Sequence, residues 1–212
     1  MLIKYNRVIY SNSFEIYENN VKDARQLTSL YEMIVSNSNI KNYDATKNIL
    51  RGEYVLLVSA FDKFFHDLFI EFNNDKMHDK IEDIGTEYFC SGEFNINEII
   101  EFGKIVKAQK ETIISNKKKT FQKSDKIEKI CKKMGFDIWT ELSKIKLKNN
   151  IELSKDLLDK VIDRRDKIVH EYDNNPKCDG INDITIDDVI IADRCLYLVA
   201  RKTYDLYTKM HS

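Results

Sequence analysis

The chain has 212 residues, of which 42% are hydrophobic and 33% are charged, and its formal net charge is −1. This length and composition predict one globular domain with its own core and exclude an intrinsically disordered chain. A net charge so near zero also excludes a global basic field, so contact with RNA or DNA would need a local basic patch.

The cysteines indicate reduced thiols and a cytoplasmic protein. Cys90, Cys131, Cys178 and Cys195 lie far apart, with no Cys-x-x-Cys pair and no nearby pair of histidines. This spacing favours neither a zinc site nor a disulfide framework, and we expect no metal and no cofactor. Polar residues interrupt the apolar run at the start, and no apolar run is long enough to span a membrane. We therefore expect neither a signal peptide nor a membrane anchor.

The first third of the chain predicts two long helices. Residues 2–10 alternate loosely and predict a short strand or an extended arm. Asn12 and Glu15 have the spacing of a capping box, which predicts a helix from there to about Val35. Residues 45–72 are the most apolar segment and predict the central helix of a bundle, with a core stripe rather than a cofactor slot. The stripe comprises Tyr54, Leu57, Val58, Phe61, Phe64, Phe65, Leu68, Phe69 and Phe72, widened by Val55, Leu56 and Ala60.

Residues 73–150 predict an insertion of a loop and short helices. Residues 73–94 are polar, contain Gly85 and Gly92, and predict a connecting loop. The pattern then predicts short helices near residues 96–115, 121–134 and 136–147. A lysine-rich stretch crosses this region, and most such runs are solvated faces. It is still the best local candidate for contact with an RNA backbone, through Lys117, Lys118, Lys119 and Lys123.

Two more helices complete the predicted fold. One spans about residues 151–172 and is stopped by the turn-forming residues 173–176, which end in the single proline. The last runs from Thr185, which has capping-box spacing to Asp188, to about Met210. Residues 1–212 thus predict one all-α domain, an up-and-down bundle of four long helices with a smaller helical insertion.

The end of the helix at 151–172 has the most informative chemistry in the chain. It reads Arg164-Arg165-Asp166-Lys167-Ile168-Val169-His170-Glu171. A histidine can move protons near neutral pH, and an arginine can hold a phosphate through two parallel hydrogen bonds. Such a pair could cleave a phosphodiester without a metal, although a solvated helix end would also fit.

Arg165 falls in the centre of the apolar stripe of its helix, at about 100° per residue. A guanidinium in that position needs a partner, because an unpaired buried charge is costly. Asp193 lies in the stripe of the last helix, about two turns beyond the connecting loop. If the two helices form an antiparallel hairpin, the residues meet at one level. We predict an Arg165–Asp193 ion pair, with Asp62 as the alternative acid.

His170 points about 140° away from Arg165 on a regular helix. One regular helix therefore cannot easily bring both side chains onto one substrate. Either the helix distorts near His170, or two copies of the motif meet across a dimer interface. Asp166, four residues before His170, shares its face and is placed to orient its ring.

The motif resembles the signature of the HEPN superfamily, an arginine, a polar residue and, a few positions later, a histidine. The stretch at residues 164–171 is most similar to the RiboL-PSP branch, in which an Arg-Asn-x-Ile-Val-His-Glu-like string is typical. Asp166 stands where asparagine is common. The apolar helix at residues 50–62 resembles a second family element, with Asp62 in its acidic position.

The resemblance implies a four-helix bundle that dimerises and a metal-independent endoribonuclease, in phage defence, toxin–antitoxin or stress-response systems. Arg165 and His170 would be catalytic, with Arg164, Asp166, Asp193 and Asp62 in support. RNA, a second copy of the chain and an antitoxin or other protein are the implied partners.

Two alternatives stay open. A non-catalytic HEPN module would bind RNA, a nucleotide or a protein, and the weak overall charge favours it. A purely structural helical protein would leave Arg165 and His170 unrelated to one another.

Overall fold

The computed structural model describes residues 12–37, 43–89, 120–145, 152–170, 173 and 180–211. Within these ranges every regular element is a helix, which confirms the all-α prediction. The helices are α1 (Ser13–Val35), α2 (Tyr43–Phe89), α3 (Ser124–Met134), α4 (Ile138–Leu142), α5 (Lys155–His170) and α6 (Ile186–His211). The up-and-down order of four long helices and the single-domain boundaries stay predictions. The arm at residues 2–10 and the helix at 96–115 lie outside the described residues.

Local sequence signals set the helix starts as predicted. The Asn12 side chain accepts hydrogen bonds from the backbone of Phe14 and Glu15 and so caps α1. At α6 the capping box is reciprocal. The Asp188 carboxylate accepts from the Thr185 backbone at 2.8 Å, and the Thr185 hydroxyl accepts from the Asp188 backbone at 3.2 Å.

The stripe of α2 forms the centre of the core, and all its predicted members are buried. α2 packs most extensively on α1 and then on α6 and α5. Phe14 of α1 joins the three main helices, with its ring edge-on to Phe64 at 5.9 Å and stacked on Tyr204 of α6 at 5.3 Å. Each fully buried Phe or Leu contributes about 1.5–3 kcal/mol, so this stripe dominates the stability. Of the flanking residues, Leu56 is exposed, contrary to the prediction.

α2 is longer than the sequence indicated. It continues to Phe89, so the loop predicted at 73–94 is wrong over residues 73–89. Met77, Ile81, Ile84 and Tyr88 keep helical spacing through this polar segment. Gly85 favours a break in the sequence pattern, but one glycine costs a helix only about 1 kcal/mol and does not stop it.

The short helices of the insertion are confirmed in part. α3 begins at Ser124 rather than at 121. The Asp62 carboxylate of α2 accepts a hydrogen bond from the Phe121 backbone N–H at 2.7 Å and holds that residue outside the helix. Asp159 of α5 then caps α3 by accepting from the backbone and hydroxyl of Ser124 at 2.9 and 2.7 Å. α4 ends at Leu142, before the predicted 147, and residues 146–151 lie outside the described ranges.

The remaining expectations concern the cysteines and the membrane. Cys131 and Cys195 are free and buried, and burial raises the pKa of each thiol to about 12, so both stay protonated. Cys90 and Cys178 lie outside the described residues. Of the described helices, none combines the length and apolar character needed to cross a membrane.

Candidate active site

Arg165 lies on the inward side of α5, as its place in the stripe predicts, and its side chain is 19% exposed. Its Nη1 donates to the Asp166 carboxylate at 2.8 Å. Its Nε is buried and has no hydrogen-bond partner among the described residues. The guanidinium is therefore only partly satisfied, which is costly at a site with this little water.

The predicted Arg165–Asp193 ion pair is wrong. Both carboxylate oxygens of Asp193 bind Arg25 of α1, at 3.0 Å from Nε and 3.1 Å from Nη2. Arg25 also lies 5.7 Å above the ring of Tyr197, one turn further along α6. This face of α6 is thus turned toward α1 and not toward α5. Burial raises the pKa of Asp193, and the Arg25 guanidinium partly offsets the increase.

Asp62 does not pair with Arg165 either. Its carboxylate accepts the Phe121 backbone N–H and lies 3.9 Å from Nε2 of His66, one turn along α2. It therefore fixes the chain entering α3, so both acids named as partners for Arg165 are engaged elsewhere.

Arg164 is held by the protein itself. Its Nη2 donates to the buried Asp173 carboxylate at 2.8 Å and to the Asp183 carbonyl at 2.7 Å. Arg51 of α2 contacts the same carboxylate from Nε at 3.3 Å. A guanidinium bound in this way is poorly placed to turn toward a substrate, so its support for catalysis would be indirect.

His170 is the last residue of α5, and it is exposed. Asp166 does not orient its ring, because within the described residues the Asp166 ion pair is with Arg165. α5 is a continuous α-helix through His170, so no distortion brings the ring toward Arg165. The angle of about 140° between the two side chains persists. Glu171, the last motif residue, lies outside the described residues.

The lysine-rich stretch is partly neutralised where it is described. Lys123 forms an ion pair with Asp163 of α5. Lys129 and Lys132 of α3 pair with carboxylates one turn earlier on their own helix. Lys117, Lys118 and Lys119 lie outside the described residues. α3 carries four lysines against the two carboxylates of Asp125 and Glu128, so these ion pairs neutralise its basic charge only in part.

Three polar residues near this region were not found by sequence reasoning: Arg25, Glu53 and Asp173. Glu53 is 2% exposed, and its carboxylate accepts from the Thr28 hydroxyl at 2.6 Å. Burial raises the pKa of Glu53, and the nearby Asp193 raises it further. The available signal was the position of Glu53 directly before the buried Tyr54, inside the apolar segment. Arg25 and Asp173 carried no such signal, since both stand among polar residues.

The comparisons with known proteins agree with the motif. The family model described as RiboL-PSP-HEPN matches residues 17–208. No curated protein and no solved structure matches the chain. Since the family match covers nearly all of the chain, including α2, α5 and most of α1 and α6, this protein belongs to the RiboL-PSP-HEPN family.

Proposed function

We propose that this protein is a metal-independent endoribonuclease of the HEPN type, acting on RNA in the cytoplasm. One observation carries the proposal. Arg165 is 19% exposed and pairs only with Asp166 among the described residues, and an exposed His170 ends the same helix. Its Nε is closed to solvent, so a phosphate would bind at the Nη groups, whose edge can donate two parallel hydrogen bonds.

The reaction needs one proton acceptor, one proton donor and a cation at the phosphate. The RNA 2′-hydroxyl oxygen attacks phosphorus while His170 takes its proton. The P–O5′ bond breaks while water donates a proton to the O5′ oxygen, His170 later returns its proton to solvent, and the products are a 2′,3′-cyclic phosphate and a 5′-hydroxyl. Arg165 stabilises the charge that develops on the non-bridging oxygens.

The angle between Arg165 and His170 favours a site shared by two copies of the chain. In a symmetric dimer, each site would combine Arg165 of one protomer with His170 of its partner. Phage defence, a toxin–antitoxin pair and a stress response are the proposed settings, and a protein antitoxin would be a further partner.

The test is cleavage of mixed RNAs by the full chain in excess EDTA. Wild-type protein should cleave, whereas Arg165→Ala and His170→Ala should lose roughly a hundredfold or more in rate. Arg201→Ala and Lys167→Ala, which remove exposed cations from α6 and from the last turn of α5, serve as matched controls. RNA with a 2′-deoxy nucleotide at the cleaved position should resist. Undiminished cleavage by His170→Ala would refute the proposal.

Mixing the two inactive variants tests the shared site. In an equal mixture, a heterodimer keeps one intact site, so roughly a quarter of wild-type activity should return. If no cleavage activity returns after subunit exchange, Arg165 and His170 of the same chain act at one site, and the shared site is refuted.

A non-catalytic RNA-binding or protein-binding HEPN module is the second candidate. The net charge of −1 and the ion pairs that occupy Lys129 and Lys132 of α3 favour it. RNA binding without cleavage, unchanged by His170→Ala, would support this alternative.

A further inference from the structure

A buried carboxylate, Asp173, lies just beyond the end of α5. Its side chain is 0% exposed. Three side chains donate to this carboxylate: Arg51 Nε at 3.3 Å, Arg164 Nη2 at 2.8 Å and Asn182 Nδ2 at 3.2 Å. Two guanidiniums thus share one buried carboxylate, and both are engaged in contacts within the protein.

The same groups join three parts of the chain. Arg51 of α2 donates to the Asn182 carbonyl at 2.7 Å, and Arg164 of α5 donates to the Asp183 carbonyl at 2.7 Å. The Asp173 carbonyl accepts from the backbone and side chain of Asn182, both at 2.8 Å. α2, the end of α5 and the segment leading into α6 are therefore connected through Asp173.

The backbone of Asp173 also closes the motif helix. Its φ is +56°, in the left-handed region that Asp and Asn tolerate better than most residues. In that conformation its N–H donates to the Lys167 carbonyl at 2.9 Å. His170 lies between these two residues in the sequence. This bond and the contacts of the carboxylate therefore fix the end of α5, where His170 lies.

The strength of the connection depends on charge. Without the carboxylate, Arg51 and Arg164 would be two mostly buried like charges that have lost the acid they share. Removing one partner of a buried ion pair costs more folding free energy than the intact pair contributes, because the remaining charge has neither water nor a partner. The contacts that join the end of α5 to Asp173 and Asn182 should then weaken.

We propose that Asp173 is a positioning residue, which through Arg164 and Arg51 fixes the end of α5 and so sets where Arg165 and His170 meet RNA. The inference rests on the proposed endoribonuclease function. It gives Arg164 an indirect role, in which the guanidinium holds the helix end and does not touch the phosphate.

Three variants of the full chain test this role. Asp173→Asn keeps the side-chain shape and a residue type that accepts positive φ, but removes the charge. Arg51→Lys is milder, since it keeps a cation and loses the two-point contact. Asp159→Asn is the matched control. It removes a structural carboxylate from α5 itself, about 16 Å from His170.

The measurements are the single-turnover cleavage rate at saturating RNA and the Kd for RNA, both well below the melting temperature of each variant. Asp173→Asn and Arg51→Lys should lower the saturated rate roughly tenfold or more while Kd changes less than about threefold, since misplacement affects the transition state most. Asp159→Asn should lower the melting temperature but keep the rate. A wild-type rate in Asp173→Asn, or an equal loss in Asp159→Asn, would overturn the inference.

Amide hydrogen exchange without RNA separates this inference from the proposed function. In Asp173→Asn, protection should fall selectively in the last turn of α5 and in Asn182, with α1 and α2 unchanged. If wild type never cleaves RNA but this local opening occurs, the endoribonuclease proposal fails while the fixing of the helix end stands. Uniform loss of protection in every helix would mean that Asp173 stabilises the whole fold and does not specifically fix the end of α5.

Discussion

Arg165 donates from Nη1 to the carboxylate of Asp166, the next residue on α5, at 2.8 Å. Asp166 is 42% exposed, so a carboxylate that water can easily reach occupies one side of a mostly buried guanidinium. A phosphate that binds Arg165 from this side has to compete with Asp166. If the protein binds RNA as proposed, this pair should therefore lower its affinity for the phosphate.

Asp166→Asn should therefore tighten RNA binding. The gain should be roughly two- to fivefold, because a partly exposed ion pair is worth at most about 1 kcal/mol. Fluorescence anisotropy with a labelled RNA measures the change. Asp156→Asn alters the net charge equally on an exposed residue of the same helix, so an equal gain there would mean that only net charge matters.

Arg25→Ala should destabilise the protein by about 1–2 kcal/mol, because it leaves the Asp193 carboxylate, only 15% exposed, without its cation. The half-exposed position of Arg25 keeps the loss below that of a fully buried pair. Urea unfolding of Arg25→Ala, Asp193→Asn and the double variant should show positive coupling. A second cycle between Arg165 and Asp193 should give coupling within about 0.5 kcal/mol of zero, and a larger value would contradict the contacts described.

The wild-type protein should lose stability as the pH rises and buried Glu53 ionises, and Glu53→Gln should remove this loss. Burial raises the pKa of Glu53 above its ordinary value of 4.5, so the folded protein binds this proton more tightly than the unfolded chain. That contribution is fully present below 4.5 and is lost as the pH rises through the folded pKa. The variant should therefore gain stability relative to wild type between acid conditions and about pH 7. Urea titrations across this range test it, with the exposed Glu32→Gln as control. A difference in unfolding free energy between Glu53→Gln and wild type that is the same at all pH values would contradict the prediction.

Gly135→Ala should destabilise the protein by about 1–2 kcal/mol. Gly135 ends α3 with φ at +99°, and a Cβ there would lie 2.8 Å from Cε of Met210. The methionine can move, so the backbone conformation accounts for most of the loss, and adding Met210→Ala should restore little. Gly180→Ala meets no atom within 4 Å and should change the melting temperature only slightly. Full rescue by Met210→Ala would assign the loss to crowding instead.

The features that the sequence predicted correctly are local ones. Asn12, Thr185 and Asp188 mark helix ends through bonds to residues at most three positions away. The stripe of α2 is buried because periodic apolar residues must face inward, whichever helices cover them. The inward position of Arg165 followed from the same periodicity. The family resemblance, carried by residues 164–171 and the second helix, was confirmed over residues 17–208.

Only the tertiary structure decided which groups the charged residues contact. Periodicity gives the direction of a side chain about its own helix, but not which neighbour lies in that direction or at what height. Asp193 faces Arg25, distant in sequence on α1, and Arg164 faces Asp173 beyond a left-handed turn. The first contact depends on how two helices distant in sequence align, and the second on where Asp173 lies beyond the end of α5. The sequence alone therefore determined the helices and the inward arginine, while the fold determined that Asp166, and not Asp193, is its partner.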